Sequence, residues 1–121
     1  MTIEWFEYPL YSELRASGRV RVDDWVGTAE LPPPSGNRLL VDYGALEGLD
    51  VSIGQLIAAA EELVAAGVRT AFVAPRDPTV LGLVRKAMIL SRAVEGHDVA
   101  IFATREECER WLLGAEPGGE Q

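Results

Sequence analysis

Three short segments are apolar almost throughout: "LLVDY" at 39–43, "TAFVA" at 70–74 and "VAIFA" at 99–103. A strand with one wet face alternates apolar and polar residues, whereas a strand covered on both faces reads as a nearly unbroken apolar run. The three recur about 30 residues apart with helical patterns between them, the spacing of consecutive βαβ units in a parallel sheet. No sequence repeat accompanies the spacing, so the chain is not a solenoid. With 121 residues there is room for one such core and no second.

Local signals place the helices. From about Ile53 to Ala66, the residues Ile53, Leu56, Ile57, Ala60, Leu63 and Val64 recur at i, i+3, i+4 and i+7, which makes one buried stripe. Gly67 supplies the left-handed residue that ends this helix. Asp77 as N-cap and Pro78 at the first helical position open a second helix, with Val80, Leu81, Val84, Ala87 and Met88 on one face, that stops before Gly96. "TREE" opens a third, where Thr104 and Glu107 form a capping box. Its stripe is Cys108, Trp111 and Leu112, and it closes at Gly114.

The first third carries weaker signals. "TIEWFEY" and "YSELRAS" read as two strands joined at Pro9, an antiparallel hairpin along the sheet edge. "VDDWVGTAEL" is either a short helix capped by Asp23 or a continued strand, and the helix is favoured. "PPPSGN" at 32–37 can be neither helix nor ladder strand and forms a stiff exposed loop. The expectation is a single domain over residues 1–113 and a flexible tail over 114–121.

Composition excludes several classes. The net charge is −8, with one lysine, Lys86, and scattered arginines, so the basic cluster that nucleic acid requires is missing. An acidic surface also disfavours anionic membranes, and no apolar run approaches the ~20 residues that span a bilayer. Glu4 and Glu7 follow Met1 without a basic start or apolar core, unlike a signal peptide. A cytoplasmic protein is expected. One cysteine, Cys108, makes no internal disulfide, and one histidine, His97, assembles no metal site of the usual kind. There is no glycine-rich phosphate loop, no Ser-His-Asp set and no Cys-His nucleophile arrangement, so neither an enzyme nor a cofactor is expected.

Residues 41–54, "VDYGALEGLDVSIG", resemble the switch segment of STAS domains, the fold of bacterial anti-sigma-factor antagonists and of the cytoplasmic ends of sulfate transporters. In that family a strand ends in Asp, a short loop follows, and Asp-Ser-Ser-Gly opens the next helix. Asp42 matches the strand-end Asp, Leu46 and Leu49 the buried loop positions, and Asp50 the motif Asp. Ser52 falls on the serine phosphorylated in the antagonists. The pattern departs where Val51 replaces the first serine and Ile53 stands in place of glycine, with Gly54 one residue later. "DVAIFATREECERWL" (98–112) is similar to a sister group, the SpoIIAA-like proteins related to STAS and to lipid-binding SEC14-type domains. The resemblance spans roughly residues 10 to 113. It implies an α/β fold with a mixed sheet of four or five strands, a βαβαβα C-terminal part and helices mainly over one face.

Two functional readings follow. One is a non-enzymatic regulatory module that contacts a protein partner, such as an anti-sigma-type kinase, and is switched at Ser52. The other is a binder of a small apolar ligand or lipid. Ser52 also has a plain role, a capping box Ser52-Ile53-Gly54-Gln55 worth ~1 kcal/mol, and a phosphate there would sit on the positive end of a helix dipole. Asp42 and Asp50 could form a carboxylate pair for acid–base work or a cation, against a plainer role in loop solvation and capping. Because ligands bind at the carboxyl ends of parallel strands, Asp42, Asp50, Ser52, Gln55 and the "PRDP" loop with Arg76 and Asp77 are expected on one rim. Leu83 and Leu90 lie off the main stripe of the second helix and mark a homodimer surface or an apolar pocket. Trp5, Trp25 and Trp111 read as core or half-buried, Cys108 as an inert small hydrophobe, and His97 as solvated.

Overall fold

The computed structural model describes residues 2–27 and 31–114. Its elements are β1 (Thr2–Glu7), β2 (Ser12–Arg21), α1 (Val22–Gly27), β3 (Arg38–Asp50), α2 (Ile53–Ala65), β4 (Arg69–Val73), α3 (Pro78–Leu90), β5 (Val99–Phe102) and α4 (Arg105–Leu112). The five strands lie in the order β1-β2-β3-β4-β5. β1 pairs antiparallel with β2, and every other neighbour is parallel. The sheet is therefore mixed, with the expected hairpin at one edge and three βα units behind it.

Strand alternation sends residues to two helix layers. Leu39, Val41 and Tyr43 of β3 join Leu56 of α2 and Val80, Val84 and Met88 of α3 in the larger core cluster. Leu40 of β3 and Ala71 and Val73 of β4 meet Cys108 and Leu112 of α4 on the other face. The helix starts follow their caps. Asp77 Oδ1 accepts from the N–H groups of Thr79 (2.8 Å) and Val80 (3.1 Å), and Thr104 and Glu107 close a reciprocal box. Gly67 and Gly114 both take positive φ just beyond their helices.

Two local expectations fail. Asp23 lies inside α1 and is not its cap; the Arg21 N–H donates instead to Asp24 Oδ2 at 3.1 Å. More consequentially, β3 does not end at Asp42. It runs on to Asp50 as a 13-residue strand, so Leu46 and Leu49 lie in a strand and not in the loop the family pattern implied. Pairing with β4 stops at Asp42↔Val73, while pairing with β2 continues to Arg21↔Asp50. Between Arg15 and Ser17, and again between Gly18 and Arg19, β3 uses one more residue than β2. Gly44 lies in the first bulge, and Gly48 borders the second, where Glu47 is the extra residue. At 35–37 the proline-rich loop closes in a single 3₁₀ turn, tied down where the Ser35 N–H donates to the buried Ser12 Oγ at 2.9 Å.

Candidate functional site

Helix α2 spans the larger face with little beneath it. Its middle reads Ala58-Ala59-Ala60, and alanine carries no atom past Cβ to fill the gap to the sheet. Of its 13 residues only Leu56 is fully buried, although the periodicity promised a whole stripe. Ile53, Ile57 and Leu63 are half-buried against the core instead. The space left is a partly open cavity of about 740 Å³. Trp5, Leu14, Val41 and Phe72 form part of its sheet wall, Val84 and Met88 of α3 close it from above, and Trp25 with residues 31–34 complete it.

Size decides how such a space is to be regarded. The space opens to solvent on one side, so it is a cleft that a ligand can enter and not a sealed gap in the core. Water is a poor filling, because it needs two to four polar partners and these walls are mostly apolar. The volume lies inside the roughly 300–1,000 Å³ range of small-molecule pockets.

Two hydroxyls interrupt the apolar lining. Thr70 of β4 is 2% exposed and its Oγ1 has no hydrogen-bond partner, a state that costs about 1–3 kcal/mol. Tyr43 of β3 is buried with its ring 5.8 Å from that of Phe72, and burial pushes its phenol pKa upward. Among the described residues the charged side chains of the lining are Glu62 and Asp98, and it holds no Lys, Arg or His.

Of the residues expected on one rim, Asp42 and Asp50 are not brought together. Asp42 alternates with Leu40 toward the α4 face and accepts from the Gly44 N–H at 2.9 Å. Asp50 pairs with Arg19 at 2.7 Å, and its β2 partner Arg21 lies roughly 20 Å along the strand from Arg15, the partner of Asp42. The two aspartates therefore form no carboxylate pair. Ser52 is exposed and caps α2: its Oγ accepts from the Gln55 N–H at 3.1 Å, and the Ser52 N–H donates to Gln55 Oε1 at 2.9 Å. Gln55 also lines the cavity, which joins the switch-like segment to the pocket. Asp77 is occupied in capping α3, and Arg76 is exposed. Leu83 packs on the core, whereas Leu90 is exposed beside Ile89 and Val94; neither Leu83 nor Leu90 lines the cavity.

No family model and no curated protein matches this sequence. Among solved structures it is similar to an uncharacterised protein of the DUF3478 family from Shewanella loihica PV-4, described as having a SpoIIAA-like fold. The two share 16% identity over 92% of each chain, with a TM-score of 0.54. The fold is SpoIIAA-like. In this SpoIIAA-like sheet the order β1 to β5 and the switch of helices between faces leave the cavity on one side and a polar cluster on the other.

That cluster was not foreseen. Glu13 of β2 is fully buried, with Arg15 Nε 3.1 Å from its Oε2 and Arg105 Nη2 2.5 Å from its Oε1 as an ion pair outside hydrogen-bond alignment. The Tyr11 hydroxyl donates to Glu109 Oε2 at 2.5 Å and accepts from Arg105 Nη2 at 3.2 Å. Burial first, and then the Glu109 hydrogen bond, push the Tyr11 phenol up to about 12. Arg105 and Glu109 stand four apart on α4, the one sequence hint that the helix presents a charged stripe. Cys108 between them is fully buried, and burial, then Asp42, push its thiol up to about 12, which leaves it inert. His97 is solvent-exposed. Among the described residues no group of His, Cys, Asp and Glu is arranged to hold a metal ion, and no helix is long and apolar enough to cross a membrane.

Proposed function

We propose that this domain is a non-enzymatic binding module that holds a small apolar ligand between the sheet and helices α2 and α3, in the cytoplasm. The observation that carries the reading is the partly open cavity of about 740 Å³, mostly apolar and within the size range of small-molecule pockets. Native mass spectrometry of freshly purified protein is expected to show an adduct of small-lipid mass, and an apolar fluorophore is expected to brighten on titration. A clean apo mass together with a fluorophore that stays dark would end it.

A second reading is favoured by Ser52. Its exposed hydroxyl tops α2, and its capping partner Gln55 lines the cavity, so a phosphate there would alter the surface a protein partner meets beside the pocket. Incubation with lysate kinases followed by peptide mass mapping tests it. An unmodified Ser52, with Ser52→Asp leaving co-purifying partners unchanged, removes it.

A further inference from the structure

We infer that the cavity selects an uncharged amphiphile, an apolar body carrying one hydroxyl or carbonyl that meets Thr70, and rejects the corresponding carboxylate. This rests on the cavity-binding reading and narrows its ligand class. Three observations carry it. Thr70 lines the cavity and its Oγ1 is buried without a partner, so a ligand hydroxyl or carbonyl that reached it would satisfy a group otherwise left without a hydrogen bond. No cationic side chain lines the cavity among the described residues, and its charged members, Glu62 and Asp98, would repel an anion. At the start of α2 Gln55 lines the cavity, and its N–H is already taken by Ser52 Oγ, so that residue offers an anion no free backbone donor.

A buried carboxylate without a counter-charge is far costlier than a buried hydroxyl that finds one hydrogen bond. Apolar walls attract either chain equally, so discrimination falls on the head group. The aromatic lining supplies the readout: Trp5 and Trp25 line the cavity, whereas Trp111 packs on the opposite face under the Arg69 guanidinium, 3.9 Å from its ring centroid.

The test titrates decyl alcohol, decanoate and decane into the Trp111→Phe protein at about pH 8, where the carboxylate is fully ionised, and follows tryptophan emission. The alcohol is expected to bind at least about tenfold tighter than decanoate. Thr70→Val is expected to weaken the alcohol about fivefold and leave decane unchanged, and Thr70→Ser to restore it. Decanoate binding as tightly as the alcohol overturns the inference while the cavity reading stands. An alcohol affinity untouched by Thr70→Val overturns the role of Thr70. Should none of the three probes bind, the inference and the cavity reading fall together. The comparison of alcohol with decanoate needs no change at Thr70, so it decides the ligand class even if Thr70→Val does not fold.

Discussion

Arg105, on the last helix, lies 2.5 Å from the carboxylate of Glu13 on the second strand, and the Glu13 side chain has no solvent exposure at all. This pair fastens α4 to the sheet. Truncating one member of a buried ion pair strands the other charge, which typically costs 3–5 kcal/mol. Arg105→Ala is therefore expected to lower the unfolding free energy by about 3 kcal/mol, the remaining contact with Arg15 sparing part of the loss. Urea denaturation measures it. A loss below about 1 kcal/mol would mean the pair is no more than a surface contact.

The cap at Ser52 contributes less and can be measured separately. Ser52→Ala removes the oxygen that accepts from Gln55 and is expected to cost about 1 kcal/mol, whereas Ser52→Asp keeps an acceptor beside the positive helix end and is expected to stay within about 0.5 kcal/mol of the parent. Equal losses in both variants, read from urea midpoints, would show that the box does not govern α2.

Filling the cavity separates packing from binding. Ala60→Phe adds apolar surface where α2 leaves space, so the chain is expected to gain about 1 kcal/mol while losing any ligand adduct. A variant that is stabilised and still carries the adduct would place the ligand elsewhere.

Alkali is expected to weaken the fold. The Cys108 thiol rises from 9 to about 12 and the Tyr11 phenol from 10 to about 12 on folding, both chiefly by burial. Below pH 9 both groups are protonated in either state and the stability is fully present. As pH climbs from about 9 to 12 the unfolded chain releases protons the folded chain retains, so stability falls with pH. Urea midpoints taken across this window are expected to decline, and Tyr11→Phe with Cys108→Ala to lessen the decline, the buried Tyr43 phenol keeping the remainder. A flat profile in the parent would contradict the burial of both groups.

Much of the framework was legible because its signals are local. Asp77-Pro78, Ser52 with Gln55 and Thr104 with Glu107 start helices by satisfying their own first amides, and Gly67 and Gly114 leave them by a conformation glycine adopts freely. The apolar runs at 39–43, 70–74 and 99–103 declared strands covered on both faces, and the sheet covers them so. Where the family pattern implied a loop after Asp42, the strand runs on, because pairing with β2 absorbs the extra residues as bulges. That choice carried Asp42 into mid-strand and set Asp50 well away from it.

What residues 2–114 settle by themselves is the order of strands and helices and the places where the helices start, since each depends on neighbours a few positions away. Tertiary structure alone decided that Glu13 meets Arg105 across 92 positions of chain and that the alanines of α2 stand over an unfilled space. An ion pair of that span and a void are both properties of what comes near in three dimensions. A stripe of apolar residues looks the same in sequence whether the sheet beneath it is touched or not.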